Sequence, residues 1–522
     1  MELILLLIFS FIIRILFILT KTSDTDFHIW NIKLRNTLKR LRDHHSHDSL
    51  VKGYRGYPPL PHEIIRLFPQ KYQVAIGRFI NSIYDLLSIV ITYFAAQYLF
   101  VNYWGLPQAT SPSTAFMVAL IFSTTPKLFP VNSRLNSIGG RPIGLTLNIL
   151  YFLLLFLVLQ GYYLAVPFLI LTGISIILSS QFGMQNLIGV SVLATLLMFR
   201  AEPLVMLILV FGVGFTIPHF GFKALLVRKI AHFRWYIKNM ESGNTATGRN
   251  RFSDIIRLPY TMFTDFGQFL YQVTTKITPI IAITSMPLLF ALVYFVLNNS
   301  IFLSDIFQDQ ILFYLAVLTV ADCILFVLTS LKPFLFLGEA ERYLEFCIMP
   351  VVIMFIYYIY VYTFSPEKTI LLVLLIQLCI IIFNFLYLKS EEFSLALRWY
   401  YDNDLKEVVD FLEKSGPQRI ITIPVKTAYA ISALTKPKHQ YYYNLFYEEG
   451  RGLEYQNEDI IYFQLIRPEI DYFYKKYEIS MLITHKKRVE FAKTKGIDYK
   501  LHDKKPLYEN ANYAVYRVDD LI

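Results

Sequence analysis

Apolar runs long enough to cross a bilayer core recur along the chain. They lie at residues 2–20, 79–101, 113–129, 142–160, 162–180, 185–200, 203–219, 275–297, 309–330, 347–363 and 368–388. They predict about eleven transmembrane helices, some joined by turns as short as the one at Gly161. Three polar segments interrupt the series. The expected architecture is an α-helical polytopic membrane protein with a multispanning domain over 1–388, external loops at 21–78 and 221–270, and a soluble α/β domain over 389–522. The first run, Met1 to Thr20, carries Glu2 and Arg14. No basic segment precedes it and no small-residue cleavage pattern follows, so a retained helix is expected rather than a signal peptide.

Past residue 388 the period changes. "QRIITIPV" is β-branched and reads as a strand, "PEIDYFYKKY" as a helix, "ISMLITH" as a strand and "KRVEFAKTKG" as a helix ending at Gly496. "PLYENANYAVYRV" reads as a hairpin turning near Asn510 to Asn512. This domain has no glycine-rich phosphate loop and no His or Cys cluster, and no chemistry is assigned to it.

Composition agrees with the spans. Of 522 residues 55% are hydrophobic and 17% charged, which excludes an ordinary soluble protein. The stretch from Lys389 holds 21 basic and 21 acidic residues, so the net charge of +10 belongs to the membrane part, 28 basic against 18 acidic. That placement points to anionic membrane lipids or a phosphate-bearing substrate and not to nucleic acid. The three cysteines, Cys323, Cys347 and Cys379, lie in or beside apolar runs, which excludes a disulfide framework and a Cys-based metal site.

The first loop holds the candidate chemistry. "KTSDTDFHIW" places Asp24, Asp26 and His28 directly after the first apolar run. Phe27, Trp30, Leu34, Leu38 and Leu41 then form one stripe of an amphipathic helix, expected to lie in the membrane interface. Ser23 and Asp26 have capping-box spacing, so helix capping is one reading of the acids. Two acids exceed what a cap needs, however, and Asp24 and His28 share a helix face. "GYPPLPHEIIRLFP" follows with a rigid proline-fixed approach carrying Tyr57 and His62. Acids and histidines on a rigid loop read as a site. "RDHHSHDS" reads as a solvated turn rather than a metal site, because a flexible stretch does not fix coordination geometry.

Taken together the sequence resembles the GT-C glycosyltransferases, multispanning enzymes that take sugars from polyprenyl-phosphate-linked donors. The resemblance rests on Asp24-x-Asp26 after the first helix, on "SRLNSIGGRPIG" (Ser133 to Gly144) at a helix mouth, on the long loop after the seventh helix, on "LGEAERYLEF" (Leu337 to Phe346) before a late helix, and on the terminal α/β domain. It implies that Asp24 or Asp26 is the general base that activates the acceptor. It implies substrate contacts at His28, Tyr57, His62, Arg134, Arg141, Arg342 and Tyr343. No metal ligand is assigned. A divalent metal stays open as a cofactor, because the requirement differs among branches of that family.

The residues suit this chemistry independently. Glycosyl transfer needs a base for the acceptor proton and cations for the leaving phosphate. Arg134, Arg141 and Arg342 lie beside apolar helices, where each needs an anionic partner. Phosphate is one such partner; Glu339, Glu341 or Glu345 is the other, with snorkelling to lipid headgroups as a further reading. With a cytoplasmic N-terminus, eleven spans place both loops and the terminal domain outside, on the external face of the plasma membrane, in keeping with cell-envelope polysaccharide synthesis. The stretch 221–257, with eight basic and two acidic residues, then stands against the positive-inside rule. A transporter, flippase or polymerase of polyprenyl-linked glycans is the alternative. Internal repeats would favour transport, and none is visible. The sequence sets neither donor sugar, acceptor nor oligomeric state.

Overall fold

The structure is a computed structural model. It describes residues 1–20, 26–38, 47–51, 53–54, 57–105, 111–130, 134–135, 138–240, 252–363, 365–389, 403–436, 438–443, 447–448, 459–462 and 465–522. The chain packs as two compact units. One gathers Met1–Lys21, Ala75–Thr216 and Ala246–Ser394; the other gathers Thr22–Val74, Ile217–Thr245 and Leu395–Ile522.

The first unit is helical. Among the described residues six helices are long and apolar enough to cross a membrane: Glu2–Leu19, Gln70–Tyr103, Gly140–Leu159, Gln181–Met198, Gln310–Ser330 and Pro366–Lys389. Counting two bent helix pairs as one span each raises this to eight, and Thr114–Ser123, Tyr163–Ser179 and Ile348–Tyr362 are shorter apolar helices. Every apolar run read from the sequence coincides with one of these segments, but six to eight meet the requirement for a full crossing.

Amphipathicity decides which face of each helix turns inward. In Glu2–Leu19, the residues Leu6, Ser10, Arg14, Phe17 and Ile18 are buried, while Ile4, Leu5, Ile8, Ile12 and Leu16 are exposed. The spacing of the buried set is one helical stripe. Helix Ile348–Tyr362 is apolar all round and lies in the core, with its first nine residues buried. Helix Pro366–Lys389 instead exposes Leu371, Leu372, Leu375, Ile376, Ile382 and Phe383, as a lipid-facing helix does. Close approach needs glycine at one point: a Cβ on Gly140 would stand 1.9 Å from the Ser179 carbonyl oxygen, so only glycine lets helix Gly140–Leu159 begin there.

The second unit is built on a five-stranded sheet. Strand Arg419–Ile423 pairs in parallel with Gln440–Tyr441 on one side and with Met481–His485 on the other. Tyr513–Arg517 runs antiparallel to Met481–His485 and forms the hairpin with Tyr508–Glu509. The central strands are buried throughout apart from Arg419, as strands covered on both faces are. Each element expected from the terminal segment is present. Helix Asn403–Lys414 and strand Gln440–Tyr441 were not expected.

The first loop packs on this sheet. Trp30 and Leu34 of helix Asp26–Thr37, and Leu38 just past its end, are all buried in the sheet unit's core. The expectation that this stripe lies in the membrane interface is therefore corrected. Trp30 meets the rings of Tyr429 and Tyr443 at 5.1 Å each. Lys33 Nζ donates to the Thr435 carbonyl at 2.5 Å and to that of Ser432. Asp48 to Leu50 then dock on the sheet edge: the Tyr441 amide donates to Asp48 O at 2.7 Å, and the Leu50 amide to Tyr441 O at 2.9 Å.

Candidate functional site

The expected site residues fall into two clusters, one in each unit. In the helical unit the hub is Asp85, on the inner face of helix Gln70–Gln97. Arg14 Nε donates to Asp85 Oδ2 at 2.9 Å. Arg134 grips both oxygens of Asp85 as a fork, at 2.7 Å each. Its Nε donates to Glu345 Oε1 at 2.5 Å, and Arg141 Nε donates to Glu345 Oε2, also at 2.5 Å. The side chains of Arg14, Asp85 and Arg134 have no exposed surface.

These contacts join five elements: the first helix, helix Gln70–Gln97, the turn at Arg134, the start of helix Gly140–Leu159, and the turn Ala340–Glu345. Arg134 uses Nε and both Nη groups on carboxylates, and Nη1 also reaches the Leu128 carbonyl at 3.4 Å. Arg134 and Arg141 thus have carboxylate partners, while the three arginines of the network, Arg14 included, share two carboxylates. Burial by itself would raise the Glu345 carboxyl, but Arg134 and Arg141 outweigh it and hold it below its ordinary range.

Arg342 is placed differently. Its Nε donates to Glu339, three residues back, and its guanidinium lies 4.6 Å from the Phe182 ring centroid. Neither Nη group makes a hydrogen bond with a described residue, and a quarter of the side chain is exposed (26%). Tyr343 beside it is buried, its hydroxyl 3.3 Å from Gln185 Oε1.

The second cluster lies in the sheet unit and joins His28, Tyr57 and His62, which are 34 residues apart at the extremes. His28 Nδ1 lies 3.2 Å from His62 Nε2, and the Tyr57 ring stands edge-on to both imidazoles at 5.0 and 5.4 Å. Burial first, then His28 and Arg35, push His62 well below its ordinary pKa. A neutral pair sharing one N–H is the state this favours. Glu63, next in sequence, pairs with Arg35 at 2.5 Å and Arg66 at 3.1 Å. Asp24 lies outside the described residues, and of Asp26 only the backbone is described, opening helix Asp26–Thr37. Ser23 and His44 to Ser46 also lie outside them. Asp48 accepts from the Tyr443 hydroxyl at 2.8 Å. Among the described residues no three His, Cys, Asp or Glu side chains converge as a metal site.

Sequence reading missed Asp85, Lys127 and Asp322. All three are buried ionisable residues in or beside an apolar run, and that position was the available signal.

No protein-family model matches the sequence, and no curated protein matches it. Solved structures do match its fold. The apo form of the Archaeoglobus fulgidus oligosaccharyltransferase aligns over 97% of this chain and 72% of its own, with a TM-score of 0.56 at 12% identity. The same enzyme with Zn and sulfate aligns over 92% of this chain and 68% of its own, with a TM-score of 0.52 at 10% identity. The A. fulgidus oligosaccharyltransferase AglB, in complex with an inhibitory peptide and a dolichol-phosphate, covers 92% and 69%, with a TM-score of 0.51 at 11% identity. Over nearly its whole length, this chain has the fold of an archaeal oligosaccharyltransferase.

Proposed function

We propose that this chain is a membrane glycosyltransferase that moves a sugar from a polyprenyl-phosphate-linked donor to an acceptor. The observation that carries this reading is the fold, shared over 97% of the chain with an oligosaccharyltransferase. AglB was solved with a dolichol-phosphate, which supports a lipid-linked donor here. In the proposed reaction, an acceptor hydroxyl or amide attacks the anomeric carbon. Asp24 or Asp26 takes its proton, and the sugar–oxygen bond to phosphate breaks to release polyprenyl phosphate. We read the chain as crossing the plasma membrane eleven times, with this chemistry on the external face, and His28, Tyr57 and His62 as acceptor-side contacts.

The test is transfer itself. Purified protein in lipid nanodiscs is given a panel of short-chain prenyl-phosphate-linked sugars, and release of the prenyl phosphate is followed. At least one donor should be turned over. A protein that consumes none of them, yet moves lipid-linked glycan between leaflets in vesicles, would be the transporter instead.

Arg342 is the proposed ligand of the donor phosphate, because Glu339 orients its fork and leaves both Nη groups available. Arg342→Lys keeps the charge but loses the fork, so donor KM should rise about tenfold with the melting temperature unchanged. A lower melting temperature with normal KM would make Arg342 a strut between Glu339 and Phe182.

A further inference from the structure

Lys127 and Glu341 make no direct ion pair with the arginine network among the described residues, and both line a cavity of about 270 Å³ in the helical unit. Five elements wall it: the turn Pro126–Leu128, the helical turn Gln272–Lys276, the end of helix Thr278–Ser285, the turn Ala340–Glu345 and helix Pro366–Lys389. The chain bends by 83° between Thr278–Ser285 and Pro287–Asn298, where Pro287 starts a new helix, and this leaves Ser285 at the mouth of the break. Cys379, Phe383 and Asn384 form the opposite wall.

The Thr274 and Thr284 hydroxyls and the Asn384 amide in its lining are hydrogen-bonded, but other polar groups there are not. Lys127 is 1% exposed, and among the described residues its ammonium makes no hydrogen bond or close ion pair, with Glu341 the carboxylate that acts on it most strongly. Glu341 is 3% exposed, and among the described residues its Oε2 accepts no hydrogen bond and the Ser285 hydroxyl has no partner. A buried cation and carboxylate without a direct contact, and a buried hydroxyl without a protein partner, are costly unless a polar group bridges them. The occupant must present an anionic oxygen to Lys127 and hydrogen-bond donors to Glu341, which is the pattern of a phosphate joined to a hydroxylated ring.

We propose that this cavity binds the glycosyl-phosphate head of the donor, with a phosphoryl oxygen on Lys127 and a sugar hydroxyl on Glu341. The inference rests on the glycosyltransferase reading and adds the place and the residues. The same phosphate chemistry is found in bulk phospholipid headgroups, and the test separates the two.

Full-length protein in phosphatidylcholine nanodiscs is titrated with farnesyl phosphate, with farnesol, and with dioleoylphosphatidylglycerol as competitor. Lys127→Met should weaken farnesyl phosphate at least tenfold and leave farnesol binding unchanged. Should that variant fail to fold, Glu341→Gln carries the test: removing a carboxylate that faces the phosphate should tighten farnesyl phosphate severalfold. Unchanged farnesyl phosphate affinity in folded variants, while the wild type still turns over a donor, overturns this site and leaves the glycosyltransferase reading standing. Equal competition by dioleoylphosphatidylglycerol makes the cavity a phospholipid site and overturns the proposal. A wild type that neither binds farnesyl phosphate nor transfers sugar removes both.

Discussion

Asp85→Asn is expected to leave little folded protein. Asp85 is the anion between two arginines whose side chains have no contact with solvent. With it in place, three guanidinium groups (Arg14, Arg134, Arg141) share two carboxylates, Asp85 and Glu345. Asparagine has almost the same shape but leaves three cations on one carboxylate. It also turns an NH₂ group, a donor, toward arginine donors. Removing one partner of a buried ion pair costs about 3–5 kcal/mol, against a total stability of roughly 5–15 kcal/mol for a domain. Arg14→Met is the milder comparison, because it keeps the Arg134 fork on Asp85 and removes a cation rather than the shared anion. Size-exclusion profiles and melting curves of the detergent-solubilised variants decide the matter. Wild-type yield and melting for Asp85→Asn would mean that the network does not hold these elements together.

Asp24→Asn or Asp26→Asn should reduce turnover by about 10²-fold or more, the range lost when a general base is removed. The substitution is chosen because asparagine caps a helix nearly as well as aspartate. A capping role would therefore leave stability and turnover almost intact, and a base would lose turnover alone. One acid is expected to carry the effect, so the double variant should be no slower than the worse single. Rates are measured on the donor that the wild type consumes, with melting temperature recorded on the same samples. Normal turnover in the double variant would place the base elsewhere in the chain.

Much of the fold was legible because it is local. Alternation and β-branching marked Arg419–Ile423 and Met481–His485. Tyr508 to Arg517 showed its hairpin through the asparagines between two apolar stretches, and Gly496 marked the end of a helix at a left-handed φ of 75°. Strand Gln440–Tyr441 was not legible, because two residues carry no period and the pairing depends on a neighbour 21 positions away. The site divides in the same way. Residue types beside apolar runs singled out Arg134, Arg141 and Arg342, but their partners are set by contacts over 49, 204 and 3 residues respectively. Only the last of these separations could be read along a helix.

The sequence by itself determined that this is a chain of apolar helices followed by a small α/β segment, since hydropathy and period depend on nearest neighbours. It also determined which ionisable groups need explanation, because a charge in an apolar run is costly wherever the chain goes. Tertiary structure alone decided what those groups do. The stripe of Trp30, Leu34 and Leu38 could meet lipid or protein equally well, since both offer an apolar surface; the aromatic face of Tyr429 and Tyr443 settled it. For arginines that could pair with phosphate or carboxylate, only the tertiary structure set which carboxylates lie within reach. Arg134 found Asp85 and Glu345 within hydrogen-bond reach, while Lys127 faces a cavity that it shares with Glu341 and makes no hydrogen bond among the described residues.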